Sequence, residues 1–285
     1  MHPLADLQAQ PLTVNDREAV LNLFKARRFV HRHPGWRSVP EWLSFQPFWT
    51  LKQNQEMIAA LACPPEPKGV AWIRLFACRF PHRPANAWPL LFRSVFHSLP
   101  EPKPTIAALG LAAWFSDLLL NNGFSENNRI VILYWDANSQ PSPLHPSRGI
   151  NLRQMSNQDL VSVLKIDHQA FKPIWQISWE ALSTAFRQSA YATVVEKDEQ
   201  IIGYQISTTT HNATCLERLA VSPEQQGQGI GAQLVYDLID DFQLSSAMHL
   251  TVNTQQDNLA SQTLYKKMGF KMAGESYPVF VYQAP

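Results

Sequence analysis

Three glycines, Gly227, Gly229 and Gly231, stand between a short apolar run and an amphipathic stretch, and a strand, a glycine turn and a helix in that order can hold an anion. Leu216, Leu219, Ala220 and Val221 form the apolar run, closed by Ser222-Pro223 as a buried strand would be. Ile230, Leu234, Val235, Leu238, Ile239 and Phe242 recur at the spacing of one buried helical face. The first turn of such a helix leaves backbone N–H groups without intrahelical partners at the positive end of the macrodipole, which suits a phosphate. A side chain at 227, 229 or 231 would hold the phosphate away or forbid a positive φ.

The spacing discriminates among glycine loops. A P-loop is excluded, because the four-residue gap and the Lys-Ser/Thr pair are missing. Gly227, Gly229 and Ala232 satisfy G-x-G-x-x-A, but five polar residues, SPEQQ, separate Val221 from the first glycine. No acid stands in AMHLTVNT, where a dinucleotide fold holds its ribose. What remains is Gln226-x-x-Gly229-x-Gly231 after a strand ending Leu-Ala-Val, which resembles motif A of the GCN5-related N-acetyltransferases, the GNAT superfamily. Downstream, Asn258, Ser261, Leu264, Tyr265, Gly269 and Phe270 follow the family's N-x-x-A-x-x-L-Y-x-x-x-G-F segment, with Ser261 in place of the usual alanine. The resemblance covers about residues 149 to 285.

The resemblance implies an acetyl-CoA-dependent N-acetyltransferase acting by direct attack of a primary amine. It places Leu219, Ala220 and Val221 along the pantetheine arm. Gln226, Gly227, Gln228, Gly229, Ile230, Gly231 and Ala232 lie at the pyrophosphate, and Asn258, Ser261 and Tyr265 close from the other side. Tyr265 is implied as general acid for the leaving thiolate; the structural alternative is an aromatic packing beside Leu264 and Phe270. Glu217 shares the face of Leu219 and Val221 by period-two alternation. It is implied as the base, directly or through water, and the alternative is a surface carboxylate paired with Arg218 or a neighbour. Cys215 reads as a small apolar residue, since the family transfers directly. AFKPIW, residues 170 to 175, is similar to the A-F-x-x-x-W neighbourhood of enzymes that acetylate protein N termini. Small amines and amino acids are the alternative acceptors, and an acyl-CoA sensor without turnover is the alternative from another class.

Around the site, IDHQAFKPIWQISWEALSTAF reads as two helices broken at Lys172-Pro173, the pair that roofs the acceptor site in this family, with Phe171, Trp175 and Trp179 as its aromatics. ATVVEK, IIGYQIST and CLERLAV read as antiparallel strands, the first two joined by a DEQ turn. The nine histidines form no metal set; His31 and His33 lie in a Pro-Gly loop without an acid, so no metal is expected.

A chain of 285 residues with 45% hydrophobic and 16% charged residues is long and apolar enough for two domains. Residues 136 to 149, DANSQPSPLHPSRG, read as the boundary. PLTVNDREAVLNLF and INLRQMSNQDLVSVLKI open the two halves alike, and Gly-Phe closes a helix near the end of each. Asn15 precedes Asn157 by 142 residues and Gly123 precedes Gly269 by 146, as an ancient duplication would leave them. The expectation is an α/β (α+β) chain of two GNAT-like domains, each a mixed, mostly antiparallel sheet flanked by helices. These are a degenerate domain over 1–137, a linker over 138–148 and the acetyltransferase over 149–285. In the first half, FPHRPANAWPLLF stands where the glycine loop would be, and it has no glycine. Pro84 and Pro89 remove backbone donors there, and Leu119 replaces the tyrosine.

Lys and Arg outnumber Asp and Glu by 14 to 10 over residues 1–137 and are outnumbered 10 to 13 in the remainder. The excess lies in KARRFVHRHPGWR, where Lys25, Arg27, Arg28, Arg32 and Arg37 face no acid in sequence; a solvated helix end and loop explain it, and nucleic acid is not expected. No apolar run approaches a membrane span and no signal peptide is legible. Three cysteines without C-x-x-C pairing fit a reducing compartment. A soluble, cytoplasmic monomer or homodimer is expected, with no membrane partner.

Overall fold

The computed structural model describes residues 7–26, 28–136, 138–143, 149–210, 212–244 and 247–283. The chain divides into two units, residues 1–127 with 277–285, and residues 128–276.

Near the start of the first unit the backbone N–H and hydroxyl of Thr13 donate to Asp16 at 3.0 and 2.7 Å, a reciprocal cap that leads into helix α1 (Arg17–Phe24). The strands of this unit are, in chain order, β1 (Ala9–Pro11), β2 (Val30–Arg32), β3 (Phe48–Gln53), β4 (Glu56–Ala62), β5 (Val70–Trp72), β6 (Leu75–Cys78) and β7 (Thr105–Leu109). Between them stand α2 (Val39–Trp42) and α3 (Pro84–Ser98), and α4 (Ala113–Leu120) follows β7. An antiparallel sheet runs β1-β3-β4-β6-β2, while β5 pairs in parallel with β7. Trp88, Leu91 and Val95 of α3 pack with Phe76 and Phe115 in the main core. Gly123 (φ 82°) turns the chain out of α4 into β8 (Phe124–Trp135).

The apolar stretch GVAWIRLFA, residues 69–77, is divided between two strands. Ile73 still donates to Ala107 on the β7 side, whereas Arg74 donates to Ala62 on the β4 side. Beyond that switch β6 has β4 on one edge and β2 on the other, with Val30 opposite Ala77, His31 opposite Phe76 and Arg32 opposite Leu75.

The second unit repeats the opening. Ser156 donates from its N–H and hydroxyl to Asp159 at 2.6 and 2.9 Å, between β9 (Asn151–Gln154) and α5 (Leu160–Ala170). A single turn at Pro173–Trp175 leads to α6 (Trp179–Gln188), then β10 (Tyr191–Lys197), β11 (Gln200–Thr209) and β12 (Ala213–Val221). Next come α7 (Ile230–Leu244), β13 (His249–Gln255), α8 (Leu259–Lys267) and β14 (Lys271–Tyr282). Asp198 and Glu199, both at positive φ, make the tight hairpin between β10 and β11. The sheet of this unit runs β8-β13-β12-β11-β10-β9, antiparallel except for β12 against β13. Val235, Leu238, Ile239 and Phe242, predicted as one helical face, pack on Leu216, Leu250 and Val252.

Several expectations are corrected. The division at 137/149 does not coincide with the contact units, because Ile130–Trp135 of β8 pair with Leu250–Gln255 of β13 in the second unit, and 277–285 belong to the first. Residues 138–143 are bonded into the second unit, Ser142 donating to the Lys267 carbonyl, and Gly269 (φ 90°) has no room for a Cβ, which would stand 2.8 Å from the Gln140 carbonyl oxygen. The rest of the expected linker, 144–148, lies outside the described residues. His31 is on a buried strand rather than in a loop, its ring stacked on Phe115 at 4.0 Å. Arg37 does meet an acid, Glu66, far away in sequence. Arg27 lies outside the described residues.

Candidate active site

Parallel strands β12 and β13 stay paired only as far as Leu216 opposite Val252. Beyond that pair β13 continues beside β8, Asn253 opposite Ile132 and Gln255 opposite Ile130, while residues 218–221 of β12 keep only β11. The backbone groups of β12 that would have met β13 thus face a gap, and an unpaired strand edge accepts an extended, hydrogen-bonding partner.

The parting coincides with a β-bulge. Ser207 lies opposite Leu216 and Ile206 opposite Arg218, so Glu217 has no residue across from it. The strict alternation expected of β12 is interrupted at Glu217 itself: Leu216 packs with Val235 and Leu238 of α7, while Arg218 reaches Asp167 of α5. Glu217 accepts from the Thr208 hydroxyl at 2.8 Å, while Arg218 pairs with Asp167.

A cavity of about 140 Å³ fills the gap. Glu217 and Leu219 wall one side and Asn253 and Thr254 the other; Phe171 and Trp175 line it from the helical segment, and Asn258, Ser261 and Tyr265 from α8. Trp179 is not among its lining residues and is 44% exposed. Asn258 caps α8, accepting from Ser261 N at 3.1 Å and donating to Gln255 at 3.3 Å.

Tyr265 is buried on α8, its ring 5.6 Å from Phe270. Among the described residues its hydroxyl has no hydrogen-bond partner, although it lines the cavity. Burial, with a smaller contribution from Cys215, pushes its pKa above the ordinary tyrosine value, so the phenol keeps its proton at neutral pH. Burial likewise pushes the Cys215 thiol up to about 12, with Glu217 adding to it. A thiol so held is a poor nucleophile, in keeping with its reading as a small apolar residue.

At the end of β12 the glycine loop turns into α7. Gly227 and Gly229 take φ of 77° and 83°, a region that L side chains rarely enter. Gly231 serves packing instead: a Cβ there would lie 3.2 Å from Leu264 Cδ2. Gln226 donates to the Val221 carbonyl at 3.0 Å, so its side chain braces the loop. Gln228 is exposed and reaches the Glu224 carbonyl at 3.5 Å. Ile230 is buried, and Ala232 packs against the core, so these two offer a ligand only backbone. Ala220 and Val221 are also buried. Ile130, Asn253 and Thr254 were missed by sequence reasoning; Ile130 because it was read as part of the first half. Arg218 and Asp167 were missed as organisers because they lie 51 residues apart.

The fit to acetyl-CoA is testable on these features. An open strand edge suits the amides of a pantetheine arm, positive-φ glycines before a helix N-terminus suit a pyrophosphate, and a protonated phenol with no hydrogen-bond partner among the described residues suits a sulfur. A wider cavity of about 690 Å³ in the first unit is lined by Asn22, Leu23, Ala26, Arg28, Arg79 and Phe80. No group of three metal-ligating side chains occurs among the described residues, and no helix among them is long and apolar enough to cross a membrane.

Residues 160–270 match the family model described as Acetyltransferase (GNAT) family. The peptidyl-lysine N-acetyltransferase YjaB of Salmonella typhimurium is 29% identical over 136 residues, 45% of this chain and 87% of that protein. N-alpha-acetyltransferase 30 of Schizosaccharomyces pombe is 26% identical over 126 residues, 39% of this chain and 84% of its own. A tandem GNAT protein from the clavulanic acid biosynthesis pathway shares the fold over 98% of this chain and 99% of its own, with a TM-score of 0.59 at 16% identity. A parted strand pair, a glycine loop and the family match fall on the same residues, so residues 160–270 are similar to the GNAT acetyltransferases, and the chain as a whole shares the fold of tandem GNAT proteins.

Proposed function

We propose that the second unit is an acetyl-CoA-dependent N-acetyltransferase whose acceptor is the primary amine of a protein or peptide, with an N terminus as the first candidate. The observation that carries this reading is that Tyr265 and Glu217 line one cleft where β12 and β13 part. Bound acetyl-CoA would supply an acetyl group activated as a thioester. The edge of β12 at Leu219 and Val221 would hold the arm, and the backbone from Gln226 to Ala232 the pyrophosphate. Asn258 and Ser261 stand on the opposite wall. Glu217 takes a proton from the acceptor nitrogen at its carboxylate, directly or through water, so that the nitrogen attacks as a neutral amine. Tyr265 holds a proton at Oη ready for the departing sulfur. Phe171 and Trp175 would form the acceptor wall of the cleft.

The peptide acceptor rests on AFKPIW, on these two aromatics at the cleft, and on relatives named for peptidyl-lysine and N-alpha acetylation. The first domain is read as degenerate. The edge of β6 is covered by β2 of its own unit, its α3 starts with Pro84 and contains Pro89, and Leu119 is buried in apolar core.

Isothermal titration with acetyl-CoA should give one site per chain. Thiol release should then be followed with three acceptors: a lysine-free peptide with a free N terminus, the same peptide N-blocked with one lysine added, and a panel of small amines. Turnover on the free N terminus supports the reading. Turnover on lysine or on small amines alone moves the acceptor class, binding without any turnover leaves a sensor, and two sites per chain refute a degenerate first domain.

A further inference from the structure

The bulge at Glu217 turns Arg218 away from the side of α7 and toward the segment that lines the acceptor end of the cleft. One guanidinium makes four connections there. Its Nε donates to Asp167 Oδ2 and, at 3.2 Å, to the Tyr204 hydroxyl. Its Nη2 donates to the Trp175 carbonyl at 2.6 Å, and its Cζ lies 4.4 Å from the centre of the Phe171 ring. Asp167 is fully buried; it takes Tyr204 Oη at 2.5 Å on one oxygen and Ile177 N at 3.0 Å on the other. Both aromatics that the helical segment brings to the cleft, Phe171 and Trp175, are therefore tied to β12 through one side chain.

We propose that Arg218 is the positioning residue of the acceptor wall, setting the place of Phe171 and Trp175 over the cleft and through them the hold on the acceptor. A planar guanidinium is suited to this, since it donates in two directions in its plane while its face lies against an aromatic ring; a lysine ammonium makes no such stack. The segment has other ties, Gln176 Nε2 to the His168 and Phe171 carbonyls at 3.0 Å each and His168 Nε2 to the Ile177 carbonyl at 2.8 Å. Losing the guanidinium should thus displace the wall without unfolding it. The inference rests on the acetyltransfer reading only for its kinetic readout.

The test compares wild type with Arg218→Lys, using acetyl-CoA and the lysine-free peptide with a free N terminus. The variant should raise the peptide KM at least about tenfold, with kcat and the acetyl-CoA Kd within about threefold. Amide exchange at Trp175, Gln176 and Ile177 should quicken at least about tenfold. A peptide KM within about twofold overturns the proposal, and so does a joint loss of kcat, KM and cofactor affinity, which marks a structural residue. Should Arg218→Lys fail to fold, Phe171→Leu removes the ring under the guanidinium and keeps the ion pair with Asp167. It should reproduce the KM shift, and an unchanged KM again overturns the proposal. If wild type binds acetyl-CoA but does not acetylate the peptide, the acceptor reading fails by itself, while unchanged exchange at those three amides would still refute the clamp.

Discussion

Tyr265→Phe removes one hydroxyl and leaves the ring. In the folded protein that hydroxyl has no hydrogen bond among the described residues, and the ring keeps its place beside Phe270. With no bond to lose, the stability change should stay within about 0.5 kcal/mol, and acetyl-CoA affinity should change little. The catalytic effect is another matter. General acid assistance is typically worth about a hundredfold to ten-thousandfold, or about 3 to 5.5 kcal/mol of barrier, with the lower end expected if a water takes the place of the hydroxyl. Burial holds the phenol above its usual pKa, so wild type carries the proton throughout the neutral range and the rate ratio should not vary with pH there. Thiol release under saturating acetyl-CoA, with thermal melts alongside, measures both quantities. Leu119→Ala is the control: it opens the core of the first unit and should cost about 2 to 5 kcal/mol of stability without a selective effect on turnover. A Tyr265→Phe protein with wild-type kcat would sink the assignment of Tyr265 as the acid.

Gly229→Val puts a branched side chain at φ 83°, so the loop must rearrange, and the acetyl-CoA Kd should rise at least about tenfold by titration; a change within about twofold means the loop is not the phosphate site. His31 is pushed down from 6.5 to about 4 by burial, against a smaller upward pull from the Ile73 carbonyl. The unfolded chain therefore takes up the proton first as pH falls, so stability is full above the unfolded value and is lost between about 6.5 and 4. From pH 7 to 5 this costs about 2 kcal/mol, and urea titrations of His31→Gln should lack that part of the slope; equal slopes would refute it.

Much of this protein was legible locally. The cap pairs Thr13–Asp16 and Ser156–Asp159 stand three residues apart in sequence, and a helix start needs nothing further. The buried face of α7 followed from a 3.6-residue period, and the glycines of the loop from the backbone conformations that only glycine adopts freely. Glu217, Leu219, Asn258, Ser261 and Tyr265, named from the family resemblance, line one cleft. Trp179 was lost from that set because four-residue spacing on an apolar stretch does not say whether a ring turns inward.

The sequence alone made legible the matching strand, cap and helix that open each half and the glycine loop before α7, because each depends on residues near one another along the chain. Tertiary structure alone decided which sheet β8 joins, that β2 covers the edge of β6, and that β12 bulges at Glu217 and so sends Arg218 to Asp167. Strand pairing and ion pairing bring together residues far apart in sequence, and a hydrophobic pattern reports that a strand is buried without naming its neighbour.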